Sequence, residues 1–148
     1  MENLPQIIDF KGGEKFLVLA AHPDDEVFGL GGTLKALSNF GKKIDIFIFS
    51  KGEEWGSPEE RMKESIFAAK VLNLKEPIFY DLPDGKFIED KEKIEEKIRE
   101  IISNENYDGI FCPSYEEHHT DHKTIAFSLI KLLQKVRLDD PLQENLWN

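Results

Sequence analysis

Phe16-Leu17-Val18-Leu19-Ala20-Ala21-His22-Pro23-Asp24-Asp25-Glu26 is the stretch on which the reading of this chain turns. Its apolar start has the length of a buried strand, and residues 27–37 behind it read as the opening of a helix. Between the two, one imidazole and three carboxylates are packed into five residues. A strand that avoids water does not end in that much charge unless something offsets the burial. A divalent cation does so, since neutral imidazole and carboxylate oxygen together suit zinc. A second cluster, His118-His119-Thr120-Asp121-His122, lies far along the chain, and the four histidines of the sequence all fall in these two stretches.

The totals narrow the partners. At 148 residues the chain is read as one domain, 1–148, large enough to bury a core without staples. Its composition, 40% hydrophobic and 11% aromatic, is that of a soluble globular protein, with no apolar run of transmembrane length and no signal-peptide pattern at the start. The expectation is a cytoplasmic protein without a membrane span. Cys112 is the only cysteine, which excludes a disulfide framework and a thiolate metal cluster within one chain. A formal charge of −10 argues against nucleic acid, whose binding rests on Lys and Arg neutralising phosphates. A neutral or cationic small molecule is the easier partner. A homo-oligomer stays open.

Strands and helices alternate along the sequence. An Ile7-Ile8 piece and a Lys11-Gly12-Gly13 turn lead into the first strand, 16–21, and a first helix over 25–40 ends at Gly41. Residues 44–50 alternate as a second strand. Ser57-Pro58-Glu59-Glu60 opens a second helix with an N-cap serine, a proline at the first position and a glutamate at the third, and Met62, Ile66, Ala69 and Leu72 form its apolar face. A third strand at 78–82 runs into the Pro83-Asp84-Gly85 turn. Asp90 is expected to cap a third helix, with Ile94, Ile98, Ile101 and Ile102 inward. A fourth strand, 110–113, buries Cys112 as a small core residue, and a fourth helix turns Ile125, Leu129, Leu132, Leu133 and Val136 inward. The tail from Asp139 has no periodicity and is expected to fray.

Such alternation implies an α/β fold, a Rossmann-like three-layer sandwich with a mostly parallel sheet and right-handed crossovers. Two units on one side of the first strand and one on the other give the strand order 3-2-1-4. Ligands in open α/β sheets collect at carboxyl ends of strands where the winding reverses. Both histidine clusters lie at carboxyl ends of the two strands flanking that point. Topology and ligand chemistry thus select one place.

His22, Asp25 and His122 supply three ligands and leave one position open, the pattern of a catalytic zinc. Two imidazoles and one carboxylate leave such a metal net positive and able to acidify a bound water. Asp24 is then a candidate general base. His119, three residues before His122, is a candidate oxyanion or leaving-group partner. Asp121 is placed to cap the fourth helix and to orient a histidine through its ring N–H. Gly29, Gly31 and Gly32 follow the acidic turn rather than forming it, so close helix packing explains them better than a dinucleotide loop. Arg61 is either a solvated helical partner of Glu64 or a substrate contact. Asp84 reads as turn chemistry first and as a substrate-binding residue second, and His118 as a loop neighbour. Trp55 either stacks on a ligand or covers the core.

His22-Pro23-Asp24-Asp25-Glu26 with the distal His119-Thr120-Asp121-His122 resembles the PIG-L/LmbE family of zinc-dependent N-deacetylases. Arg61-Met62-Lys63-Glu64 and Leu82-Pro83-Asp84-Gly85 resemble further segments of that family, and the likeness covers residues 16–136 in order. The resemblance implies a zinc ion (Fe²⁺ as the alternative) on His22, Asp25 and His122, Asp24 as base, His119 as electrophilic or acid partner, and Arg61 as a substrate contact. It implies an N-acetylated amino-sugar substrate. Members of that family continue well past the second histidine motif, so either a C-terminally truncated fragment or a minimal version of the domain is the expectation here. The competing readings are a hydrolase of another amide or a thiol conjugate on the same site, a metal-binding module with little catalysis, and a nucleotide binder, which the acidic turn disfavours.

Overall fold

Alternate residues of the central strand face opposite ways, and both sets are apolar because both faces of the sheet are covered. The computed structural model describes residues 12–139; the Ile7-Ile8 piece, Lys11, the Val136 side chain and the tail from residue 140 lie outside what it describes. Strand β1 (Lys15–Ala20) is followed by α1 (Asp25–Asn39), β2 (Lys43–Ile48), α2 (Pro58–Val71), β3 (Ile78–Phe79), α3 (Lys91–Asn104), β4 (Gly109–Phe111) and α4 (Thr120–Asp139). The sheet is parallel throughout and its order is β3-β2-β1-β4, as the alternation implied.

The two faces of β1 seed two cores. Leu17, Leu19 and Ala21 pack with Phe49, Phe87, Ile94 and Ile98 of the α3 side and with Ile125 and Leu129 of α4. Phe16, Val18 and Ala20 pack with Leu34 and Leu37 of α1 and with Ile44, Ile46 and Ile48. Helices therefore cover both sides, α1 and α2 on one and α3 and α4 on the other. Beyond β1 and β2 the backbone keeps pairing: Phe49 and Ser50 donate to the carbonyls of Ala20 and Ala21. These bonds hold the carboxyl end of the sheet, where β1 opens into the His22 turn, in register with the loop after β2.

Several local expectations need correction. A Cβ at Gly29 or Gly32 would meet nothing within 4 Å, so close packing does not explain these glycines. Their stretch of α1 lies open, with Phe28 88% exposed. Cys112 lies past the end of β4 and is exposed, because that strand stops at Phe111, ahead of Pro113, which has no N–H to give a ladder. Asp90 stands at the N-terminus of α3 without a capping bond and pairs with Lys93 instead. Leu133 is exposed on the outer side of α4. The Ser57 cap forms as expected, its hydroxyl accepting from the N–H of Glu60.

Candidate metal centre

The β1–α1 turn brings its side chains together through an unusual backbone. Asp24, the residue preceding α1, has φ +93°, in the left-handed region that residues with a Cβ avoid. Adjacent carboxylates are thereby sent to different neighbours. Asp25 Oδ2 accepts from the N–H of His22 at 2.9 Å and lies 3.0 Å from His122 Nε2 and 3.5 Å from His22 Nδ1. Asp24 Oδ2 instead accepts from Arg61 at 3.1 Å.

The other nitrogen of each imidazole is held from behind. His22 Nε2 faces two buried carboxylates, Asp84 Oδ1 at 2.9 Å and Asp121 Oδ2 at 3.0 Å. His122 Nδ1 faces Glu117 at 2.8 Å. With Asp84, Asp121 and Glu117 on the outer nitrogens, Nδ1 of His22 and Nε2 of His122 are the atoms that face Asp25 and would offer lone pairs to a cation once each ring is neutral. Those two atoms and the Asp25 carboxylate lie together, with ligand atoms within 4.8 Å of one another. His122 Nε2 is buried and, despite its closeness to Asp25, makes no well-directed hydrogen bond among the described residues. A buried ring nitrogen without a hydrogen-bond partner, beside an acidic oxygen and a second imidazole nitrogen, fits a divalent cation.

His22, His119 and Asp121 form a second group of similar span. Its atoms are already spent: Asp121 accepts from the N–H groups of Gly85 at 2.7 Å and Phe87 at 3.0 Å, and His119 Nδ1 accepts from the N–H of Asp121 at 3.2 Å. The first trio is the better metal centre.

Protons and charges show the same pull. Burial works against charging His22, yet hydrogen bonds to Asp121 and Asp25 outweigh it and hold its pKa up at about 9. Contact with Asp25 raises His122. Burial would raise Asp25 and Asp121, but the adjacent His122 and His22 keep Asp25 below the usual carboxylate range, and bonds to His22 and the Phe87 and Gly85 amides do so for Asp121.

The expected site residues are thus placed as follows. His22, Asp25 and His122 converge, with His119 beside them, its ring centre 4.8 Å from that of His22 and 4.9 Å from that of His122. Asp121 does orient a histidine, His22, but it does not cap α4; its carboxylate ties that helix to the 83–87 loop. Asp84 is 4% exposed and lies behind His22, with Oδ2 accepting from the N–H of Glu54. Arg61 reaches Gly52, Pro23 and Asp24 rather than Glu64. Trp55 is 79% exposed and does not cover the core, and His118 is an exposed loop residue. Glu117 and Glu26 were missed. Glu117 lies in the loop before α4, five positions ahead of His122, a spacing without a signature; Glu26 was legible as a charged residue on the inner side of a helix start, where it is 2% exposed. A cleft of about 440 Å³ opens beside the trio, between Phe28 and Leu30 of α1 and Cys112 and Ser114 past β4.

The chain is similar to several known proteins. A family model for GlcNAc-PI de-N-acetylase, PIG-L, matches residues 17–133. Diacetylchitobiose deacetylase of Thermococcus kodakarensis is 27% identical over 138 residues, 81% of this chain and 51% of that protein. A probable N-acetyl-α-D-glucosaminyl L-malate deacetylase of Bacillus cereus is 26% identical over 81% of this chain and 61% of its own length. The solved N,N′-diacetylchitobiose deacetylase of Pyrococcus horikoshii, bound to an inhibitor, superposes with a TM-score of 0.74 at 30% identity, over 84% of this chain and 51% of that one. The chain thus spans between half and two thirds of the length of these relatives. With the motif residues converging at the switch point of a 3-2-1-4 sheet and the family model matched over residues 17–133, the chain belongs to the PIG-L family.

Proposed function

We propose that this chain is a metal-dependent N-deacetylase domain acting on an N-acetylated amino sugar or a closely related small molecule. The observation that carries the reading is the convergence of His22 Nδ1, Asp25 and His122 Nε2 beside an open cleft. Names of the relatives support the substrate class, since each acts on an acetylated glucosamine derivative by its description.

A divalent ion held by those three side chains, zinc by the donor set and Fe²⁺ as the alternative, would supply a Lewis acid for the water and the amide carbonyl. The chain's own residues do the rest. With Oδ2 of Asp24 engaged by Arg61, Oδ1 is the oxygen available to take a proton from the attacking water. Because Nδ1 of His119 accepts a backbone N–H, the neutral ring carries its hydrogen on Nε2, a donor for the oxygen that becomes negative as the carbonyl carbon turns tetrahedral. The proton taken by Asp24 then goes to the amide nitrogen as the C–N bond breaks, giving acetate and an amine.

Acetate release from N,N′-diacetylchitobiose and simple N-acetylglucosaminides, by protein stripped with chelator and reloaded with zinc or Fe²⁺, tests the reading. Release restored by metal is expected. Metal-loaded protein that frees no acetate from any of them would sink it.

A further inference from the structure

Arg61 presents its guanidinium to the protein itself. Nη1 donates to the carbonyl of Gly52 at 3.1 Å, and Nη2 to the carbonyl of Pro23 at 2.7 Å and to Asp24 Oδ2 at 3.1 Å. Only 15% of the side chain is exposed. Gly52 is shaped for it: φ is +71°, and a Cβ there would lie 2.5 Å from Nη1. On the other side of Asp24, the buried Glu26 accepts the N–H of Asp24 through Oε2 at 3.0 Å. Its second oxygen faces the buried Ser65 hydroxyl of α2 without a well-formed bond. The left-handed Asp24 is therefore gripped at the carbonyl before it, at its own amide and at its carboxylate.

We infer that Arg61 and Glu26 are positioning residues that hold Asp24 in its left-handed turn and aim its carboxylate. The inference rests on the reading of Asp24 as the base. A backbone conformation that L residues avoid persists only where its surroundings over-determine it, and these two side chains are what over-determine it. The consequence is kinetic. A group acting through the base affects the step in which the proton moves, so its loss lowers kcat and leaves KM near its starting value, whereas a substrate contact would raise KM.

Metal-loaded Arg61→Met, Arg61→Lys, Glu26→Ala, Glu26→Gln and Asp24→Asn, with Arg61→Met/Asp24→Asn, make the test. Arg61→Met and Glu26→Ala should each lose on the order of 10- to 10²-fold in kcat with unchanged metal content. Glu26→Gln, which keeps an acceptor, should recover most of that loss, and Arg61→Lys, a point donor without the fork, only part of it. In the Asp24→Asn background, Arg61→Met should cost little more, because its route to the chemistry is already gone. A crystal structure of Arg61→Met, or of Arg61→Lys if the former does not fold, should show Asp24 released from positive φ with His22, Asp25 and His122 in place. Asp24 unmoved in that structure, or a raised KM at full kcat, overturns the inference. Full turnover by Asp24→Asn overturns the base reading itself, while an inactive Asp24→Asn beside a fully active Arg61→Met overturns the clamp alone.

Discussion

His22 does two jobs with one ring. Its Nε2 is fixed by Asp84 and Asp121, which sets the tautomer and leaves Nδ1 to face Asp25. Backing of this kind raises the basicity of a ligand and locks its orientation. Alanine at His22, Asp25 or His122 should abolish the binding of about one metal per chain, read by metal analysis of purified protein; full content in all three variants would discard the trio. Asp84→Asn keeps the shape but removes a charge behind the ligand, and should weaken metal binding about 10- to 100-fold in a chelator competition. An unchanged affinity would return Asp84 to the turn-chemistry role read from its sequence. Asp24→Asn should keep the metal and lose on the order of 10²–10⁴ in kcat, because an amide cannot take the water's proton. Near-normal turnover would assign the base elsewhere.

Elements were more legible than the bonds between them. The order of the strands, the alternation of β1 into two cores and the Ser57 cap all follow from period, branching and turn residues that act locally. His22, Asp25 and His122 were legible because charge at the end of a buried strand has few explanations. Asp121 orients a histidine as read, but its helix cap and the turn role of Asp84 are local rules, while the partners found, the Gly85 and Phe87 amides for Asp121 and His22 for Asp84, come from other segments of the fold. The α1 glycines show the reverse failure. Sequence suggested a tight contact, and the space beside Gly32 is open. Gly32→Ala should therefore raise stability by about 0.5–1 kcal/mol through helix propensity alone, measured by thermal or denaturant unfolding. A loss of stability would show that something packs on that face in solution.

At the scale of the whole molecule, the centre links metal, protons and folding. Among the described residues no helix is long and apolar enough to cross a membrane, and the carboxyl edge of the sheet carries much of the buried charge. Without metal, His22 is raised above its ordinary 6.5 to about 9 and His122 is raised as well, while Asp25 and Asp121 are lowered. A histidine with a raised folded pKa stabilises the fold fully below its unfolded value and loses that contribution as pH climbs through the folded one. The lowered carboxylates contribute above their unfolded values, near pH 4, and lose their contribution as the solution becomes more acidic. Metal-free protein should thus be most stable between about pH 4 and 6.5 and should weaken from 6.5 towards 9. Metal requires both imidazoles unprotonated, so its binding releases protons and its apparent affinity rises over the same range. The melting temperature of chelator-treated protein should accordingly fall from pH 6.5 to 9 while that of the zinc-loaded protein does not, the gap widening with pH. Parallel melting curves across that range would mean that the two imidazoles and the metal do not share one site.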